Sequence, residues 1–141
     1  MPITLDEVLD LAKQFFAATA SGRGDQPSFF LDPHSRIHIG ESGEAIALDD
    51  HQKLHAQWIN ERHILGSFNL TALSTAPERV RAVGTVYWEA QYRDRPPPNL
   101  IKAVVGEEWT IERIPSGALK FVLYTSTSHH LLPDSAPLTL E

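Results

Sequence analysis

The side chains best suited to chemistry are His38, Glu107, the pair His51 and His55, and a set of large aromatic residues. His38 stands in Arg36-Ile37-His38-Ile39, where polar and apolar residues alternate. In a strand this puts Ile37 and Ile39 on one face and His38 on the other. An imidazole titrates near neutrality and suits a general base. The plainer reading is a histidine hydrogen-bonded on a sheet surface. Glu107 lies in LIKAVVGEEWTIERI and shares a strand face with Val105, Trp109 and Ile111. Strict alternation sends it inward, where a carboxyl among aromatic rings has a raised pKa and can act as acid or base. A bulge at Gly106 would shift the phase and leave Glu107 at a solvated edge. Both readings stand on the sequence.

His51 and His55 are four residues apart, a spacing that can hold a metal on one helix face. No H-E-x-x-H pattern accompanies them. Gln52, Lys53 and Gln57 around them suggest a wet helix face. No metal or other cofactor is therefore expected. His129-His130 reads as an exposed pair after the last strand. Phe15, Trp58, Trp88 and Trp109 could line a pocket for a flat apolar molecule, although each could equally fill a core. Ser126-Thr127-Ser128 lacks a G-x-S-x-G nucleophile motif, and there is no glycine-rich phosphate loop.

Composition narrows the classes. The chain has 141 residues, fitting a single domain over 1–141. It has no cysteine, which excludes disulfides, thiolate metal sites and thiol nucleophiles. Twelve basic against 18 acidic side chains give a net charge of −6, so no nucleic-acid partner is expected. No apolar run approaches the ~18 residues of a membrane span. The acidic, polar start MPITLDEVLD is unlike a signal peptide, and a cytoplasmic location is expected.

The elements that must position these residues follow from periodicity. Residues 3–20 carry apolar side chains at helical spacing. Thr4 with Glu7 predicts a capping box, Ile3 with Val8 a hydrophobic staple, and the glycines from Gly22 a helix end. Asp25 can cap a short helix from Pro27 to Leu31. Arg36–Gly40 and Ala45–Leu48 read as strands around a turn at Glu41–Glu44. Asp49 or Asp50 can cap a helix running to about Arg62, buried through Leu54, Trp58 and Ile59. His63–Ser74, Arg79–Arg93, Leu100–Ile114 and Leu119–Ser128 read as strands. Turns at Ala76-Pro77-Glu78 and Pro115-Ser116-Gly117, and a proline-rich link at Asp94–Asn99, separate them. Gly84 and Gly106 mark possible bulges. Residues 130–141, with Pro133 and Pro137, read as a surface tail. Helices followed by a meander imply an α+β fold with helices on one face of a curled antiparallel sheet.

Three segments in this order resemble the nuclear transport factor 2-like superfamily, with its cystatin-like fold. They are FFAATASGRG through FFLDPHSRIHIG, the capped helix DDHQKLHAQW, and the paired strands EEWTIERIPSGALKFVLYT. The superfamily includes ketosteroid isomerases, polyketide cyclases and scytalone dehydratase. The resemblance covers residues 4 to about 130. It implies a curved antiparallel sheet wrapped around helices, a cone-shaped cavity and a homodimer. It places Phe15 where the isomerases carry a tyrosine oxyanion donor, His38 at their general base, and Trp109 near their neutral acid. Phenylalanine has no proton to donate, which argues against steroid isomerisation.

The expected function is a pocket for a small, largely apolar molecule. One version is a cyclase-, dehydratase- or isomerase-type enzyme with His38 as base and Glu107 as its partner in one cavity. The alternatives are a non-catalytic ligand-binding domain and a protein-interaction module.

Overall fold

The computed structural model describes residues 2–40, 44–74 and 77–139. Helix α1 spans Leu5–Ser21. Thr4 accepts from the Glu7 amide while Glu7 accepts from the Thr4 amide, so the capping box is complete. Gly22 ends the helix in the left-handed region at φ 71°, which a side chain would resist. A short 3-10 turn covers Gln26–Phe29, and the Asp25 side chain does not cap it.

Strands β1 (Arg36–Ile39) and β2 (Glu44–Ala47) form a hairpin. The expected turn at Glu41–Gly43 lies outside the described residues, as does Ala76 of the turn before Glu78. Helix α2 covers Leu48–His55. Ala47 is its N-cap, while Asp49 and Asp50 lie in the first turn, where they complement the helix dipole. Four long strands follow: β3 (Trp58–Leu73), β4 (Arg79–Tyr92), β5 (Leu100–Arg113) and β6 (Leu119–Leu131). The sheet order is β2-β1-β6-β5-β4-β3.

Four expectations need correction. The sheet is mixed, because β1 pairs with β6 in parallel. The Leu31 amide donates to the Phe121 carbonyl, which brings the chain alongside β6 in the same direction before β1 begins. The second helix stops at His55, so Trp58, Ile59 and Arg62 belong to β3, where the ladder to β4 satisfies their backbone. The last strand continues to Leu131 and includes His129 and His130, opposite Val105 and Val104. The tail is not a free arm. Leu132 and Ala136 donate to the Lys102 and Leu100 carbonyls, and Tyr92 Oη donates to the Pro137 carbonyl.

Helix α1 packs on the concave face of the sheet. Val8, Ala12, Phe15 and Phe16 join Ile37, Trp109, Phe121 and Tyr124 in the main core. A second cluster contains Trp58, Trp88, Tyr92, Ile101 and Ala136. Four one-residue irregularities bend the sheet, one of them between β5 and β6 where Thr110 faces Leu123 but Ile111 faces Phe121. Two fall on β3, between Ile59 and Arg62 and between Leu65 and Phe68. At the second, Gly84 pairs with Phe68, and the Phe68 ring occupies the space a Gly84 side chain would need. Another lies between β5 and β6, where Gly106 faces Ser128 but Glu107 faces Ser126. The extra residue, Thr127, is on β6. The alternation of β5 is therefore unbroken from Ile101 to Ile111, and Glu107 points inward.

Candidate active site

Helices α1 and α2 and the concave sheet face enclose a cavity that is partly open to solvent. Its apolar walls come from Phe15 and Phe16 on α1, Trp58 on β3 and Trp88 on β4. Its polar groups come from five elements. They are Thr19 on α1, His51 and His55 on α2, His63 on β3, Glu107 on β5, and Ser126 and His129 on β6.

Glu107 is only 5% exposed. Tyr124 Oη donates to its Oε1 at 3.0 Å, and Ser126 Oγ donates to its Oε2 at 3.1 Å. Burial pushes its pKa up to about 8, against the pull of those two hydroxyls. The group is thus largely a neutral acid at pH 7. The same burial, with the Glu107 carboxyl beside it, raises the Tyr124 phenol well above its ordinary range.

Opposite chemistry is built around Glu61. The inserted residue at the start of β3 is Asn60, whose φ is 54°. This insertion moves the inward phase from Trp58 to Glu61 and His63. The Glu61 side chain is 2% exposed. Burial works against its charge, but His55, His63 and the Trp88 indole outweigh it and hold the pKa below the usual value. Glu61 Oε1 accepts from His55 Nδ1 at 2.8 Å and from Trp88 Nε1 at 3.1 Å. A carboxylate on Nδ1 orients the ring and leaves Nε2 as the free nitrogen of the neutral form. No hydrogen bond to a described residue engages that nitrogen.

His63 stacks on Phe16 with ring centroids 4.3 Å apart and planes 6° apart. Burial brings its pKa down to about 4, with Glu61 pulling the other way and His55 adding to the fall. Burial also lowers His51 well below the usual imidazole range, helped by His55 and His63. His129 is lowered as well, by burial and then by His130.

Phe15, Trp58 and Trp88 line the cavity, together with Glu107. Trp109 does not. It is fully buried, stacked 4.7 Å from Phe68 and packed against Phe121 and Tyr124, where its bulk fills the core. His38 is also outside the cavity. Its neighbours Ile37 and Ile39 face the interior, so period two turns His38 to the other side of the sheet, opposite Ala45 and Thr125. The expected His38–Glu107 pair is therefore not formed. His51 and His55 do not lie on a wet face but on the cavity wall, and His129 joins them there. Among the described residues no group of three His, Asp or Glu side chains is set to hold a metal ion. No described helix is long and apolar enough to cross a membrane.

Glu61, His63 and Tyr124 are site residues that the sequence did not single out, and Ser126 is one it set aside for want of a nucleophile motif. The signal for Tyr124 and Ser126 was their shared parity on β6, facing β5. For Glu61 it is masked by the helical reading to about Arg62, and for His63 by the insertion between Leu65 and Phe68, which sets it out of phase with Phe68, Leu70 and Ala72 in the strand read from His63.

No protein-family model matches the chain, and no curated protein matches it. Solved structures do. An NTF2-like protein from Cytophaga hutchinsonii superposes with a TM-score of 0.66 at 12% identity, over 89% of this chain and 99% of that one. A protein of the NTF2-like family from Streptomyces avermitilis, provisionally named a dehydratase, gives 0.67 at 14% identity, over 88% and 95%. A protein from Novosphingobium aromaticivorans, provisionally named an aromatic ring hydroxylase, gives 0.67 at 14% identity, over 94% and 90%. The chain has the nuclear transport factor 2-like fold.

Proposed function

We propose that this chain is an acid–base enzyme of the dehydratase or isomerase kind, acting on a small, largely apolar molecule. The observation that carries the reading is one cavity lined by both a neutral buried carboxyl, Glu107, and a carboxylate-oriented imidazole, His55. A buried acid that keeps its proton and an imidazole nitrogen open to the cavity are the two partners that proton transfer in both directions needs. The provisional dehydratase name of one fold relative agrees with that chemistry.

In a dehydration, His55 Nε2 takes a proton from a carbon next to an activating group. The C–H electron pair becomes the new C=C bond, and the C–O bond breaks. Glu107 delivers its proton to the departing hydroxyl, which leaves as water. Both oxygens of Glu107 already accept a hydroxyl hydrogen, so its own acid proton is available to the cavity. The imidazolium formed on His55 is stabilised by Glu61.

Mass spectrometry of molecules retained through purification would identify the ligand class, and its conversion with loss of water would be followed directly. Glu107→Gln is expected to lower turnover by about 10²- to 10⁴-fold while preserving ligand binding. A fully active Glu107→Gln protein would overturn the acid role. Tight retention without conversion would favour a carrier instead.

A further inference from the structure

Gln26 is 1% exposed, and its amide has no part in the proton transfer above. Its Nε2 lies 2.6 Å from Thr19 Oγ1 and 2.9 Å from His51 Nδ1, and its Oε1 lies 3.3 Å from the same ring nitrogen. The Thr19 hydroxyl donates its proton to the Phe15 carbonyl, 3.0 Å away. Toward Gln26, Thr19 Oγ1 is then an acceptor, so the amide nitrogen must stand on that side. That nitrogen has two hydrogens. One meets Thr19 and the other meets His51 Nδ1, at the shorter of the two Gln26–His51 distances.

An imidazole nitrogen that accepts a hydrogen bond carries no proton, so the neutral ring bears its proton on Nε2. No described residue bonds to Nε2, and the ring lines the cavity. Phe15 stacks against the ring at 6.5 Å with planes 10° apart, which holds its orientation. Burial keeps the ring neutral, so Nε2–H is a donor with no charge of its own. A fixed donor in a water-poor site supports an oxygen on which negative charge develops.

We infer that Gln26 fixes His51 as its Nε2–H tautomer, and that His51 offers this N–H to a carbonyl or hydroxyl oxygen of the bound molecule. Gln26 is a positioning residue, and His51 is the group that touches the ligand. The inference rests on the cavity being a small-molecule site, and it narrows the ligand to an apolar body carrying an oxygen acceptor near α1 and α2. It does not depend on the roles of Glu107 or His55.

The tautomer is read by two-bond proton–nitrogen correlation on the full chain with labelled histidine. The expected pattern is a protonated Nε2 and a bare Nδ1 at His51. In Gln26→Glu a carboxylate replaces the donor, and the proton should move to Nδ1 or be present on both nitrogens. An Nδ1–H pattern in the unaltered protein, or no change in Gln26→Glu, would overturn the inference. If Gln26→Glu does not fold, Gln26→Met, which keeps the volume and removes the donor, should yield a mixture of tautomers, and an unchanged single tautomer would count against the role.

The ligand half is tested with acetophenone and isopropylbenzene, which share a shape and differ in the carbonyl. Their affinities are measured by ligand-observed NMR. The ratio favouring acetophenone should fall about tenfold in His51→Phe, the loss of one hydrogen bond. An unchanged ratio, or no binding of either compound, would overturn it. Failure of the acid–base mechanism would leave the tautomer and this ratio intact, whereas failure here would show even if Glu107 and His55 proved essential.

Discussion

Glu107 has a folded pKa near 8 against an ordinary value of 4.5, so the folded chain holds a proton that the unfolded chain has released between those values. Stability therefore falls as pH rises through that window. His51 and His63 have the opposite sign. Their pKa values are depressed from 6.5, so the unfolded chain binds protons that the folded chain refuses, and stability falls as pH drops below about 6.5. From these three groups, stability should peak near pH 6.5, which denaturant melts across pH 4.5 to 8.5 would locate. Glu107→Gln should flatten the alkaline limb, and His63→Phe should soften the acid limb. A Glu107→Gln protein with the parent's alkaline slope would show that the carboxyl is ionised in the fold. Glu107 could be followed from the sequence because its strand alternates without a break. His38 could not be brought into the cavity by any reading of its own strand. The alternation around Ile37 and Ile39 already turned it away, and only the family resemblance pointed inward.

The short stretch from His55 to His63 decides what the cavity can do. It switches from helix to strand and then inserts one residue, so that Trp58, Glu61 and His63 all face inward. Asn60 takes the left-handed conformation that makes the insertion possible, and asparagine tolerates it better than most side chains. Asn60→Gly should be nearly neutral. Asn60→Val should cost about 1–3 kcal/mol in chemical denaturation and loosen the Glu61–His55 contact, visible as a changed His55 ring nitrogen chemical shift by NMR. A Val variant with parent stability would mean that the insertion is not strained. The same stretch hides its structure from the sequence. Leu54, Trp58 and Ile59 suit a helical stripe, and a bulge destroys the period-two signal that would have announced a strand. Helix α1 was legible because its cap, staple and terminal glycine all agree. The long strands of the meander were legible through their alternation, apart from the start of β3 and the end of β6.

At the scale of the whole molecule, the two ends of the chain complete what the middle begins. The C-terminal segment lies over Trp58 and Trp88, two walls of the cavity, and Tyr92 ties it down. Its hydroxyl donates to the Pro137 carbonyl and accepts from the Thr139 amide. Tyr92→Phe should lower stability by about 1 kcal/mol and increase hydrogen exchange at Thr139 and Ala136, while strand β3 keeps its protection. Equal exchange in parent and variant would show that packing alone holds the segment. The parallel pairing of β1 with β6 carries a further consequence, one of timing. Ile37 faces Tyr124, and His38 faces Thr125, across most of the chain's length. During synthesis the hairpin β1–β2 leaves the ribosome long before the strand that must receive it. Contacts at such separation are slow to close. The meander from β3 to β6, made of neighbouring strands, has to provide the edge first. Until Leu119–Leu131 is made, the inner face of Ile37 has no sheet to join, and the wall bearing Tyr124, Ser126 and His129 does not exist. Protection of the early hairpin in the meantime falls to whatever holds the nascent chain.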